Sequence, residues 1–178
     1  MGRYVGIDPS TKTGIVILDR DGRLIDAEEI TAKGTDPGRM LDIIDNTIEQ
    51  LEPNDIVAIE GFAYGAKGNA VSTQYGIGWG IRMALFSRGI RYDDVAPAAL
   101  KKFVGAKGNA KKDELAVHIY KRWGYEHPSD NVRDAFVLAQ IARAVDYTRR
   151  GVRVDLTAFQ AAVVQTIMFP PRKGKRGA

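Results

Sequence analysis

The chain has 178 residues, 44% hydrophobic and 27% charged, the balance of one water-soluble domain with a sizeable core. It has no cysteine, which excludes disulfides, thiolate catalysis and cysteine-ligated zinc or iron–sulfur centres. The net charge of +4 comes from RKGKRGA at the C-terminus; without Arg172, Lys173, Lys175 and Arg176, 22 basic residues face 22 acidic ones. The first predicted element, Tyr4–Asp8, is a buried strand that ends on an acid, and Pro9 stops its hydrogen-bond ladder. Two antiparallel strands follow, Ile15–Leu18 and Leu24–Ala27, joined by Asp21-Gly22, a dipeptide suited to a tight hairpin. Asp36-Pro37 opens a helix through about Leu51, with Met40, Leu41, Ile44, Ile48 and Leu51 at helical spacing.

Asp55–Glu60, reached through that helical crossover, reads as a buried parallel strand. The glycine-rich GFAYGAKGNA leads to a second helix near Val71–Arg88, where Gly76, Gly78, Gly80 and Ala84 allow close approach of another element. A short strand, Tyr92–Val95, precedes a helix begun by Pro97. Further helices are expected at about Ala110–Trp123 and Asn131–Tyr147. The remainder reads as an amphipathic helix or a strand, then a disordered basic end. The expected fold is α/β, a mixed five-stranded sheet, three strands antiparallel and then parallel ones, flanked by helices. Residues 1–150 form the domain and 151–178 a C-terminal extension. No apolar run approaches the roughly 20 residues of a membrane span. No signal-peptide layout precedes the first strand, so a cytoplasmic protein is expected.

The crossover places the fourth strand beside the first, parallel to it. Asp8 and Glu60 then share one carboxyl edge of the sheet, where ligands of open α/β sheets gather. Like charges side by side repel and raise each other's pKa, a penalty that a divalent cation removes. Alone, Asp8 before Pro9-Ser10 also suits an Asx-turn. A third contribution comes from SDNVRDAFVLAQIARAV (129–145), where Asp134 stands among apolar residues inside a helix. Asp130, four residues earlier, shares its face, and Asn131 also reaches it; Ser129 or Asp130 is the cap. Oxygen donors of this kind suit Mg²⁺ or Mn²⁺, and four acids can hold the two ions that clamp attacking and leaving oxygens in phosphodiester cleavage. LKKFVGAKGNAKK (100–112) adds Lys101, Lys102, Lys107, Lys111 and Lys112 before any acid appears. Acids for metal and lysines for phosphate point to a metal-dependent nuclease.

GIDPSTKTG, VAIEGF, VAPAALKKFVGAKGNAKKDE and DNVRDA, in that order over roughly residues 3–147, resemble the RuvC family of Holliday junction resolvases, the phage-type members most. The resemblance implies a ribonuclease-H-like fold, a homodimer, and Mg²⁺-dependent cleavage of two opposing strands of a four-way junction. It carries the catalytic acids to Asp8, Glu60 and Asp134. The family's remaining position falls at Asn131, three before the last acid, or, as in some members, at Asp130, four before it; Asp130 is the expected ligand, with Asn131 a weaker oxygen ligand or neighbour. Lys101 and Lys112 resemble the family's basic residues near the scissile phosphate. Phe62, or Tyr64 in its place, resembles an aromatic that stacks on bases at the junction centre; ordinary packing is the alternative for either. The Gly76–Leu85 helix corresponds to the family's dimer interface. The tail beyond Arg150 has no counterpart in the resemblance and is expected to add nonspecific DNA affinity. Two other functions stay open: a branched-DNA-binding protein that has lost catalysis, which Asn131 in an acid's place favours, and an exonuclease on the same fold. GIDPSTKTG also resembles the phosphate loop of sugar kinases and actin-like ATPases, but only one copy of that loop is present where those proteins need two.

Overall fold

The computed structural model describes residues 2–62, 70–108 and 110–170; Tyr64 and the basic end at 171–178 fall outside them. Its elements are β1 (Tyr4–Asp8), β2 (Thr13–Leu18), β3 (Leu24–Ile30), α1 (Gly38–Glu49), β4 (Ile56–Glu60), α2 (Ala70–Ser87), β5 (Tyr92–Val95), α3 (Pro97–Phe103), α4 (Lys112–Trp123), α5 (Asp130–Arg149) and α6 (Ala158–Met168). The strands form one sheet in the order β3-β2-β1-β4-β5. β1 and β3 flank β2 antiparallel, β4 pairs parallel with β1, and β5 parallel with β4. The mixed five-stranded sheet expected from the sequence is the one observed.

Alternation along each strand divides the core into two layers. On one face Val5, Ile7, Ile15, Ile17, Val57 and Ile59 meet Ile43 and Ile48 of α1 and Ile77, Ile81 and Leu85 of α2. On the other, Tyr4, Val16, Leu18 and Ala58 meet α5, behind which α3, α4 and α6 gather. Helix α5 lies flat on β1 and β2 because the sheet offers it no side chain at two points. A β-carbon at Gly6 would lie 1.9 Å from the Ala135 carbonyl oxygen, and one at Gly14 would lie 2.2 Å from that of Asn131. The small residues of α2 serve the opposite layer. Methyl or ring carbons of Met40, Phe62 and Ile44 occupy the space over Gly76, Gly78 and Gly80.

Several element boundaries differ from the sequence expectation. β3 runs on to Ile30 because it pairs along all of β2, with Thr13 opposite Ile30. β4 starts at Ile56: Asp55 is buried before it, its carboxylate held by the Arg3 guanidinium at 2.8 and 3.0 Å. α4 starts at Lys112, since the Ala110 N–H closes a turn on Lys107 and its carbonyl accepts from Lys101. The open choice for the last segment resolves as a helix, started by a reciprocal capping box between Thr157 and Gln160. Val163 and Val164 of that helix join the α5-side core. Among the described residues no helix is long and apolar enough to cross a membrane.

Candidate active site

Asp8 and Glu60 are the last residues of the adjacent strands β1 and β4, one step beyond the Ile7–Ile59 pair. Both point to the α5 face, because Gly6 and Ala58, two residues earlier, do so. Asp134 comes from the second turn of α5, which Gly6 and Gly14 allow down onto this edge. Ser129 caps α5, accepting from the Val132 N–H, and its own hydroxyl donates to Glu29 on β3. Arg133 turns away from Asp134 and donates to the carbonyls of His127 and Pro128.

The three carboxyl groups are close enough to govern one another. Asp8 is 5% exposed, and Glu60 and Asp134 are half-buried. Burial, then the Glu60 charge and a hydrogen bond to Glu60, push the Asp8 pKa well above the usual carboxylate range. Burial raises Glu60 to about 7 even though it accepts from Asp8, and the Asp134 charge raises it further. Burial and the charge of Asp8 raise Asp134 to about 7. Lys101 and Lys112 oppose these shifts at both Glu60 and Asp134. Like charges thus meet in a poorly solvated place, with cations only at its rim.

The remaining predicted residues distribute around this edge. Lys101 on α3 is half-buried, and its ammonium donates to the Ala110 carbonyl at 3.1 Å. Lys112, at the start of α4, pairs with Asp130. The Asn131 amide faces the β1–β2 turn, donating to the Lys12 carbonyl at 2.7 Å and weakly to Ser10. Lys102 in the last turn of α3, and Lys107 and Lys111 on the segment that joins α3 to α4, are exposed. Phe62 folds back on α2, its ring 5.0 Å from Tyr75, 5.3 Å from Trp79 and 4.5 Å below the Arg82 guanidinium. Among the described residues no three acidic or histidine side chains stand ready to hold one ion. As placed, Asp8 bonds Glu60, and Asp130 bonds Lys112.

Sequence reasoning missed Gly6 and Gly14, whose bare backbone admits α5, and Arg82, buried beneath the Glu60 strand end. The glycines had a signal, since each stands in a run of β-branched residues where a strand prefers a side chain. Arg82 had none, because a lone arginine in an apolar helix reads as solvated.

No protein-family model matches the chain. It is 33% identical over 123 residues to the crossover junction endodeoxyribonuclease RuvC of Chloroflexus aggregans, covering 64% of this chain and 74% of that protein. The fold is similar to that of Thermus thermophilus RuvC in complex with a Holliday junction substrate, with a TM-score of 0.65 and 19% identity over 85% of this chain and 97% of that one. A second Thermus thermophilus RuvC structure gives a TM-score of 0.63 at 22% identity, covering 83% of this chain and 96% of that one. This sheet, shared with those structures, and the 33% identity over most of the Chloroflexus protein lead to one assignment: the chain belongs to the RuvC family.

Proposed function

We propose that this protein is a metal-dependent, structure-selective endodeoxyribonuclease that cuts Holliday junctions or other branched DNA, working in the cytoplasm on DNA. The observation that carries this reading is the meeting of Asp8, Glu60 and Asp134 at one sheet edge, each with its pKa raised by burial and by another of the three. Three oxygen donors that repel one another fit a hard divalent cation, which relieves the repulsion. Asp8, Glu60 and Asp134 would hold it, with Asp130 joining on release from Lys112 and Asn131 as neighbour. When bound, two Mg²⁺ ions, or Mn²⁺ in their place, supply the charge that acidifies an attacking water and neutralises the departing 3′ oxygen.

The protein's own groups do the rest. Lys101, tethered to Ala110, holds its ammonium toward the carboxylates and so toward the phosphate they receive. Lys112 exchanges Asp130 for phosphate, and Lys102, Lys107 and Lys111 extend the basic surface along the DNA backbone. Phe62 presents a π-face for an unpaired base. Trp79, Met83 and Phe86 are 54%, 62% and 83% exposed and recur at helical spacing along α2, which supports pairing with a second copy of this chain. Residues 1–150 would carry the nuclease function, and the extension from 151 would add DNA affinity through its basic end.

The test is cleavage of labelled four-way, three-way and linear duplex DNA with Mg²⁺, with Mn²⁺ and with chelator. Paired internal nicks near the branch, lost with chelator, are expected. Mononucleotide products would replace this reading with an exonuclease. The Lys112–Asp130 pair, which leaves only three carboxylates at the edge, favours a second reading, a branched-DNA binder without catalysis. That protein would retard the junction in a gel and never nick it.

A further inference from the structure

Arg82 is 3% exposed, and four of its five N–H groups are committed. The Nε and one terminal nitrogen donate to Asp94 Oδ1 at 3.0 and 2.5 Å. That same terminal nitrogen donates to the Glu60 carbonyl at 2.8 Å, and the other to the Gly78 carbonyl at 2.9 Å. The guanidinium carbon lies over the Phe62 ring, 4.5 Å from its centroid. Burying a charge in this way seldom adds net stability over an apolar side chain of the same volume. Its contacts are more informative. Glu60 is the residue at which β4 stops, and the Gly61 N–H, bonded to the Val95 carbonyl at 2.8 Å, continues the pairing by one step. The Glu60 side chain faces α5, while Arg82 grips its carbonyl from the α2 layer behind.

We infer that Arg82 is a positioning residue: by clamping the Glu60 carbonyl and covering the Phe62 ring, it fixes the acid and the aromatic in one mutual orientation. The inference rests on the nuclease reading for the roles of Glu60 and Phe62. The clamp requires the fork, because a compact lysine ammonium cannot reach a carboxylate and two carbonyls from these directions while also standing over a ring. Asp94, whose side chain is 58% exposed, orients the fork from β5.

The experiment compares wild type with Arg82→Lys, Arg82→Met and Asp94→Asn. It reads the cleavage rate at saturating junction, the junction Kd, and Mn²⁺ affinity measured by electron paramagnetic resonance without DNA. Both Arg82 variants should cut about 10–100-fold more slowly, as expected for a misaligned reacting group, with junction Kd changed less than about 3-fold. Mn²⁺ affinity should fall about 5–10-fold, and Asp94→Asn should show the same pattern, smaller, which keeps the test open if an Arg82 variant fails to fold. A merely structural role would move melting temperature and Kd together and leave Mn²⁺ affinity per folded molecule unchanged; that result overturns the inference. So do wild-type rates and wild-type Mn²⁺ affinity in the Arg82 variants. If wild type itself does not nick DNA, the nuclease reading falls, and the Mn²⁺ comparison still decides whether Arg82 positions Glu60.

Discussion

The two faces of the sheet solve different problems with the same residue type. On the α5 face, glycine brings backbone against backbone: Gly6 and Gly14 meet carbonyl groups of α5, and the helix has one seat. On the α1–α2 face, Gly76, Gly78 and Gly80 meet the tips of Met40, Phe62 and Ile44, which can move. The first contact sets where Asp134 stands relative to Asp8 and Glu60. The second fills a core. The carboxylate edge is therefore built on the rigid face, and the yielding face carries the exposed stripe of Trp79, Met83 and Phe86.

The sharpest break is chemical. Asp8→Asn should reduce junction cleavage by more than about 1,000-fold while leaving gel-shift binding measurable, since it removes a proposed metal ligand and no phosphate contact. Cutting at the wild-type rate would remove the metal site from Asp8.

Next comes the glycine contrast itself. Gly6→Ala should cost about 3–5 kcal/mol or prevent folding, because its obstacle is the backbone of a buried helix. Gly80→Ala should cost about 1 kcal/mol or less, as Ile44 shifts and the helix gains propensity. Denaturant melts of the two variants check this, and equal costs would erase the distinction between the faces.

A third effect follows from the raised carboxyl groups. Glu60 and Asp134 titrate near 7 in the folded chain but near 4 when unfolded, so the native state binds their protons more tightly. Their contribution to stability is complete below about pH 4 and is lost as the pH rises through 7. Without divalent cation, the melting temperature should fall between pH 5 and pH 8. Mg²⁺ should restore it at pH 8 and do little at pH 5. A profile flat in pH would separate these acids from the stability of the edge.

The smallest effect concerns the outer stripe. Trp79→Asp or Phe86→Asp should leave the unfolding free energy of the single chain within about 1 kcal/mol of wild type, as for exposed substitutions, while sedimentation reports a lighter species. An unchanged sedimentation profile would remove this stripe from any contact between copies.

The strands from Tyr4 to Glu60 were legible because alternation and crossover logic are local, and so was the convergence of Asp8, Glu60 and Asp134. The fourth acid was not legible. Asp130 and Asn131 both suit a ligand by spacing, yet one pairs with Lys112 and the other bonds the Lys12 carbonyl. Such choices depend on partners 18 and 119 positions away in sequence. Phe62 read as an aromatic next to Glu60, but its immediate neighbours, Tyr75, Trp79 and Arg82 across the glycine-lined surface of α2, were visible only in the tertiary structure.

By itself the sequence determined the order of strands, the acids that end β1 and β4 and the lysines that follow in the chain, since period-two burial and turn chemistry act over a few residues. Only the tertiary structure decided how close α5 lies, which cation each acid meets and that Arg82 holds the Glu60 strand end. Those follow from close packing and desolvation, which depend on every neighbour in space at once.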